Sequence, residues 1–465
     1  MPDFIKSILR FLGFDRAVSF GILARLWSLV AGPVTMLVIA TGFTPEVQGF
    51  YYTFSSLLAL QIFFDLGLMF VISQFTSHEF VHLTWGLRGK VDGDSVALKR
   101  FTDLLCKTVL WFGIAALLMI VVLVPVGLVF FGQKGLVNFS WRIPWTLAVI
   151  STALNLFVTP FFAIIMGSGD VVTTNKRDLV GAVLGSILCW LVIGLHGGLY
   201  SAFAVNMGSL VIAWGYLLAK RPGLVRLAWD GMFGNGRVAR KLPGLSWWGE
   251  IWPMQWRMAV SSGAAYFIFQ LFTPVLFYFR GAVVAGKMGM TMTAGNSLMA
   301  IGMTVILAKN PEFAKLIARS EWSDLDTLFF KAQRQALLLV VSGGVMGAFF
   351  IWLLQVTYGS IGNRFIPAQD ALIFFLAITV QIAVASYAIY LRSHKIDPLV
   401  LVTVIVSFIQ GVVTVFMGKN FSITGVVWGY FIISLFLLLP LFIWKWSHCR
   451  KLWHGEHEVG RDTAE

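Results

Sequence analysis

Two apolar runs near the start of the chain, joined by a short turn, decide the fold. The first run, at 17–43, reads AVSFGILARLWSLVAGPVTMLVIATGF, and the second, at 50–75, reads FYYTFSSLLALQIFFDLGLMFVISQF. The residues between them, 44–49, read TPEVQG. Each run exceeds the roughly 20 residues that an α-helix needs to cross a bilayer. The stretch therefore predicts a helical hairpin with both helices in the membrane.

Each run contains one charged residue, Arg25 in the first and Asp65 in the second. At about 1.5 Å per residue, both should lie roughly 10–14 Å from the same face of the membrane. A lone charge at this depth costs on the order of 3 kcal/mol or more. We expect the two residues to form an ion pair that fixes one helix to the other, or to act as a gate or coupling site in a wet cavity. A charge-swapped double variant distinguishes the two interpretations.

The composition is that of a polytopic membrane protein. Of 465 residues, 58% are hydrophobic and 12% are charged, which excludes a soluble domain. The first 16 residues read as a short amphipathic start rather than a cleavable signal. Three scattered cysteines predict neither a disulfide framework nor a zinc site. The formal charge of +13 comes from basic residues in loops, so we assign it to membrane orientation and expect no nucleic-acid partner.

The hydropathy pattern predicts an all-α protein with about twelve transmembrane helices. We place these spans approximately at 18–41, 49–74, 106–131, 143–167, 179–196, 199–219, 257–279, 288–308, 334–357, 368–391, 399–418 and 425–446.

The loops predict the orientation. With a cytoplasmic N-terminus, the inner segments carry 28 Lys and Arg residues and the outer loops carry six. This excess on one side predicts a multi-pass protein of a bacterial inner membrane with both termini in the cytoplasm.

The spans divide into two groups of six. We predict an N-terminal six-helix bundle at 1–219, a basic, Trp-rich cytoplasmic linker at 220–256, a C-terminal six-helix bundle at 257–446 and a cytoplasmic tail at 447–465. Tryptophans and cations in the linker suit a segment that lies along the lipid headgroups.

Four short matches in the same order relate the two halves. GPV at 32–34 corresponds to TPV at 273–275, Val47 and Gly49 to Val284 and Gly286, SHEF at 77–80 to NPEF at 310–313, and WRIP at 141–144 to RFIP at 364–367. The order predicts a duplication, with parallel repeats and a substrate path between them.

The sequence contains no HExxH, Walker or GxSxG motif, so it predicts neither an enzyme, nor a cofactor, nor a metal site. The remaining candidates are polar residues near or within spans. Buried amides are often contacts between helices, but as a group they also suit a cavity that binds sugar hydroxyls. The substrate or gating candidates are Arg25, Asp65, Gln61, Asn155, Gln270, Arg280, Lys287 and Gln381.

Prolines inside long spans remove helix hydrogen bonds and permit bending. Such bends serve as hinges in a transporter and are tolerated kinks elsewhere. The hinge candidates are Gly32, Pro33, Pro160 and Pro274.

The run ARLWSLVAGPVTMLVIATGFTPEVQGFYYTFSSLLALQIFFDLGL resembles the opening hairpin of bacterial polysaccharide exporters and Wzx-type O-antigen flippases. These belong to the multidrug/oligosaccharidyl-lipid/polysaccharide (MOP) superfamily. The resemblance implies two six-helix bundles in a MATE-like V shape around a cationic cavity. It also implies that an undecaprenyl-pyrophosphate-linked oligosaccharide is moved across the inner membrane, coupled to an ion gradient. Arg25 matches a basic residue expected in the first helix, but few other cations lie deep in this chain.

Two other functions stay open. A MATE-like drug or cation antiporter needs an acidic residue in its cavity, and Asp65 is the one deep acid in the sequence. A non-transporting scaffold of a glycan assembly complex would use the 220–256 linker to dock its partners. The expected partners are the lipid bilayer, a lipid-linked glycan, and a glycan polymerase or glycosyltransferases.

Overall fold

The computed structural model describes residues 16–133, 139–233, 245–394 and 398–462, with the side chains of all but 16–18, 261, 265 and 454–462. Most of these residues are helical, because a helix satisfies its own backbone hydrogen bonds where lipid offers no partner. The predicted amphipathic start (residues 1–15), the middle of the predicted linker (234–244) and the end of the predicted tail lie outside the described residues.

Among the described residues, nine helices are long and apolar enough to cross a membrane, and two bent helix pairs each count as one more span. The last of the nine, Val400–Trp453, contains a reversal at Ser422, where φ is 60° and ψ is −143°. A Cβ built on Gly429 would lie 3.0 Å from Cγ1 of Val413. In a straight helix these residues would be about 24 Å apart, so the segment folds back as two antiparallel spans. The described chain thus agrees with about twelve spans.

Residues 16–43 and 54–263 form one compact unit, and residues 44–53 and 264–462 form a second. These units do not test the predicted domain boundaries. They differ from the prediction in one respect, because residues 44–53 belong to the second unit and not to the N-terminal bundle. Two helices, Pro45–Leu58 and Trp252–Phe269, have their residues divided between the units.

From the N-terminus to residue 233, the helices and strands are α1 (Arg16–Gly42), α2 (Pro45–Leu58), α3 (Ile62–Asp65), α4 (Leu68–Glu79), β1 (Leu83–Trp85), β2 (Val91–Gly93), α5 (Ser95–Gly132), α6 (Arg142–Gly167), α7 (Val171–Gly194), α8 (Tyr200–Lys220) and α9 (Pro222–Phe233). The two strands pair antiparallel in a small hairpin. Asp94 begins α5 by accepting hydrogen bonds from the backbone N–H groups of Ala97 and Val96, which lower the pKa of its carboxyl.

After residue 245 the helices are α10 (Trp252–Phe269), α11 (Phe272–Arg280), α12 (Ala282–Ala318), α13 (Trp322–Thr357), α14 (Gly359–Gly362), α15 (Ala368–Ser393), α16 (Val400–Ile433) and α17 (Leu439–Asp462). A π-helical turn, Trp247–Ile251, leads into α10, and Pro253 lies in the first turn of that helix as expected. The end of the predicted linker is therefore helical and continuous with the seventh span. Helix α17 likewise continues into the predicted tail.

In each unit, an arginine just beyond the last span predicted from the sequence fastens that helix to the rest of the unit. In the first unit Arg221 forms an ion pair with Asp170 at 3.0 Å and stacks on the ring of Trp85 at 4.0 Å. In the second unit Nε of Arg450 donates to Asp326 at 2.8 Å. The hydroxyl of Tyr390 donates to the other oxygen of that carboxylate, also at 2.8 Å. Asp326 therefore joins the start of α13 to the end of α15 and the middle of α17.

Replacing Asp326 by Asn should destabilise the protein, because its side chain is 13% exposed and bonds Tyr390 and Arg450. We expect a loss of about 1–3 kcal/mol, seen as a lower melting temperature of the purified protein. The matched control is Glu312→Gln, which breaks a pair with Lys309 that is 43% and 52% exposed. That change should cost less than about 0.5 kcal/mol. Equal effects of the two variants would contradict the account.

Candidate substrate and coupling site

The second span is broken at Asp65. Helix α3 ends at this residue, and Leu66 and Gly67 follow with left-handed φ values of 52° and 65° before α4 begins. The two parts of the span meet at an angle of 41°. A break leaves backbone groups at the helix ends without intrahelical partners. Helix breaks at membrane depth occur where the backbone is buried in protein or lines water.

The carboxylate of Asp65 is not paired with Arg25 in the described structure. Its Oδ1 atom is buried and has no hydrogen-bond partner, and Arg25 forms no ion pair with any described residue. Of the two interpretations, the ion pair is therefore not present in this conformation, and the gate or coupling site stays a prediction. The reason lies in how α1 packs: it lies along α7, where Trp27 donates to Ser186 at 3.4 Å. The side chain of Arg25 is exposed.

A second break lies in the seventh span at Gln270 and Leu271, between α10 and α11. The two helices meet at 45°. Pro274 has no N–H to donate to the carbonyl of Gln270, four residues earlier, so the helix hydrogen-bond ladder is interrupted there. The half-buried Gln270 thus lies at a bend, as Asp65 does.

The other hinge candidates do not interrupt their helices. Gly32 and Pro33 lie within the continuous helix α1, and Pro160 lies within the continuous helix α6. Of the hinge candidates, Pro274 alone is associated with a bend among the described residues. Whether that bend moves as a hinge remains a prediction.

Two of the candidate amides join helices within one unit. Asn155 donates to the carbonyl of Asn206 at 3.0 Å, which ties α6 to α8. Gln381 donates to Ser434 at 3.0 Å, which ties α15 to the π-helical turn before α17. Gln61 differs from both, because it is exposed and lies four residues before Asp65. These positions favour a packing role for Asn155 and Gln381 and leave Gln61 beside the break.

The two outer cations have different surroundings. Arg280 donates to the carbonyls of Gly418 at 3.2 Å and Lys419 at 2.6 Å, close to the reversal in α16. This arrangement occupies the guanidinium and favours a structural role. Lys287, near the start of α12, is half-buried and has no ion pair to a described residue.

The predicted spans leave residues 168–178 as a loop, but α7 begins at Val171 and contains the two cations of that loop, Lys176 and Arg177. Arg177 is the one with described contacts inside the protein. Its guanidinium lies over the ring of Phe162 at 4.2 Å and pairs with Asp178 at 3.1 Å. Its Nε atom is buried without a partner among the described residues. The signal that could have found it is Asp170, whose carboxylate caps the first turn of α7.

Residues 44–53, the turn and the first part of α2, pack against α12 within the second unit. The buried side chain of Gln48 donates to the carbonyls of Gly286 at 2.9 Å and Arg364 at 3.1 Å. A Cβ on Gly49 would overlap the carbonyl group of Ala282, and one on Gly286 would lie 2.9 Å from the backbone nitrogen of Gly49. The two turns matched in the sequence therefore touch, and neither glycine leaves room for a side chain.

Removing the charges of Arg25 and Asp65 together should give the sum of the two single effects. We expect an interaction energy within about 0.5 kcal/mol for Arg25→Ala combined with Asp65→Ala, because the two side chains form no ion pair in the described structure. The matched control is the Arg221→Ala and Asp170→Ala pair, whose 3.0 Å contact should give about 0.5–3 kcal/mol. Thermal unfolding of the singles and doubles measures both. Strong coupling of Arg25 to Asp65 would restore the ion-pair interpretation.

Gly49→Ala should destabilise the second unit, because the methyl group needs α2 to move away from α12. We expect a cost of about 1–3 kcal/mol, measured as a lower melting temperature. Gly215→Ala is the matched control, since nothing lies within 4 Å of a Cβ built at this helical glycine. An unchanged melting temperature for Gly49→Ala would rule out the close helix contact.

No protein-family model and no curated protein matches the sequence of this chain. Several solved structures match its fold. An inward-facing multidrug resistance MATE family transporter of the MOP superfamily has a TM-score of 0.64 at 13% identity, covering 93% of this chain and 99% of that chain. The lipid II flippase MurJ, in an inward closed conformation, has a TM-score of 0.60 at 12% identity, covering 91% and 86%.

A third similar structure is the MATE multidrug transporter DinF-BH, with a TM-score of 0.56 at 14% identity, covering 94% of this chain and 96% of that chain. At such identities the likeness establishes the fold and not the substrate. The chain therefore has a multi-pass, predominantly helical fold similar to that of these solved structures, as the sequence predicted. The assignment to Wzx-type flippases is taken up as a proposal below.

Proposed function

We propose that the chain is a transporter that moves a lipid-linked oligosaccharide, of the undecaprenyl-pyrophosphate type, across the bacterial inner membrane for surface polysaccharide synthesis. The fold supports a transporter, since the similar structures are a flippase and multidrug transporters. The sequence resemblance supports the glycan substrate, and the loop charges support cytoplasmic termini.

The observation that carries this proposal is Arg25, a cation inside an apolar span. Its side chain is exposed and has no ion pair among the described residues, although a charge at this depth is costly. A guanidinium binds phosphate oxygens through two parallel hydrogen bonds. In the proposed mechanism Arg25 binds the pyrophosphate, while the prenyl tail stays in lipid and exposed amides such as Gln61 contact sugar hydroxyls.

Asp65 supplies the second part of the mechanism. Its carboxylate lies where the span is already broken, so uptake of a proton or cation there changes the charge at a bend. We propose that this change alters the angle between α3 and α4 and so couples an ion gradient to release of the substrate.

A drug or cation antiporter is the second candidate, and the unpaired Asp65 favours it. Antiport needs an acid that exchanges a cation for a proton or sodium ion, and Arg25 does not neutralise this one in the described structure. The same position could serve either function, so a drug-susceptibility panel of a deletion strain separates them. Increased drug sensitivity with normal surface glycan would favour antiport.

The direct test of the glycan proposal is depletion of the protein in its host. We expect lipid-linked repeat units to accumulate on the cytoplasmic leaflet and surface glycan to fall. Unaltered surface glycan in a strain that lacks the protein would contradict the proposal. If Arg25→Ala and Asp65→Ala both remain fully active while the protein co-purifies with glycosyltransferases, the scaffold function gains support instead.

Asp65→Asn should abolish transport and yet stabilise the protein. The change removes a charge whose Oδ1 atom is buried without a hydrogen-bond partner, so we expect a gain of about 1–3 kcal/mol in stability. The matched control is Asp103→Asn, which removes a carboxylate that pairs with Lys99 at 2.6 Å and should leave transport intact. Complementation of the deletion strain and thermal unfolding measure the two effects. Full transport by Asp65→Asn would remove this residue from the mechanism.

A further inference from the structure

Helix α9 begins immediately after the sixth span. Only Arg221 separates it from α8, which ends at Lys220, so α9 must start at the membrane face where α8 ends. One side of α9 is packed against the first unit, with Leu224 and Ala228 buried. Its direction after this point decides whether it leaves the membrane or lies on it.

Contacts with α5 show that α9 stays at the membrane surface. The thiol of Cys106 donates to the carbonyl of Ala228 at 3.7 Å, and a Cβ on Gly231 would lie 3.2 Å from Cγ2 of Thr102. Helix α5 has no charged residue after Lys107, so its hydrocarbon-spanning part lies beyond that point. Cys106 and Thr102 are therefore about 3 to 9 Å outside this part, at 1.5 Å per residue. That is the depth of the lipid headgroups.

The opposite side of α9 is exposed and has the composition of a lipid interface. Arg226, Trp229, Asp230 and Phe233 are spaced to share one face of the helix, and all four are exposed. The exposed fractions of Trp229 and Phe233 are 64% and 69%, and their rings are 4.6 Å apart. Tryptophan at this depth is typical of membrane interfaces, where its ring is apolar and its N–H polar.

Charge indicates which lipid is favoured. The described residues 220–233 contain three cations, Lys220, Arg221 and Arg226, and one carboxylate, Asp230, and Arg226 lies one turn before Trp229. A basic segment at the membrane surface attracts anionic headgroups. Arg226 forms no ion pair with a described residue, so its guanidinium is available to a phosphate.

We propose that α9 is an interfacial helix that binds anionic phospholipid. Trp229 and Phe233 insert below the headgroups, and Arg226 binds the phosphate of a lipid such as phosphatidylglycerol. The lipid would thereby hold α9 against Thr102 and Cys106 of α5. This inference does not depend on the substrate of the transporter.

The experiment compares single phosphatidylglycerol and phosphatidylcholine binding events on the full-length, delipidated protein by native mass spectrometry. The variants are Arg226→Gln and Trp229→Ser combined with Phe233→Ser. The matched control is Arg319→Gln, which removes an exposed cation at the end of α12. All changes are at exposed positions, and a thermal-unfolding trace of each variant checks its fold.

We expect Arg226→Gln to weaken phosphatidylglycerol binding about fivefold, the factor for one cation at a charged surface, and to leave phosphatidylcholine binding unchanged. The aromatic double variant should weaken both lipids, and Arg319→Gln should weaken neither. The proposal is overturned if Arg226→Gln and Arg319→Gln behave alike. It is also overturned if the aromatic variant keeps wild-type lipid binding, which would make α9 a surface for a protein partner instead.

Discussion

A backbone amide or carbonyl inside a bilayer must find its hydrogen-bond partner within the protein, and the rest of this structure depends on that constraint. It explains why the described spans are helices and why most of them run without interruption. Two exceptions stand out, at Leu66 and Gly67 in the second span and at Gln270 and Leu271 in the seventh. A break of this kind costs hydrogen bonds, so its position beside a carboxylate or an amide points to a functional reason.

The same reasoning applies to charge. Two Arg and Asp pairs lie outside the spans predicted from the sequence, Arg221 with Asp170 and Arg450 with Asp326, and each joins helices of its unit where the charges meet each other. Arg25 and Asp65 differ from these pairs. Each has a charge within an apolar span, and they do not satisfy one another in the described structure. That separation is what makes them available to a substrate and a coupling ion in the proposed mechanism.

Much of the fold could be predicted from the sequence, because a span is set by length and hydropathy, which are local properties. The break at Asp65 could not be predicted in this way, since Leu66 is apolar and yet has a left-handed φ of 52°. The residues close to Gly67 at the break, Met258 and Ser262, are distant in the sequence. The absence of an Arg25–Asp65 ion pair could not be predicted for a related reason. Residue counting gives depth along a helix, but the direction of a side chain around the helix depends on neighbours, here α7. The sequence predicts a turn at Gln48 and Gly49, but only the structure shows that this turn lies in close contact with α12.

The measurement that tests the central claim most directly is transport by the purified protein in liposomes. An undecaprenyl-pyrophosphate oligosaccharide is placed in both leaflets, and a membrane-impermeant reagent that modifies the sugar reports headgroups reaching the outer face. The account predicts that the whole lipid pool becomes accessible with the wild-type protein and that only the outer half does so with Arg25→Ala. Accessibility with the wild-type protein equal to that of empty liposomes would contradict it.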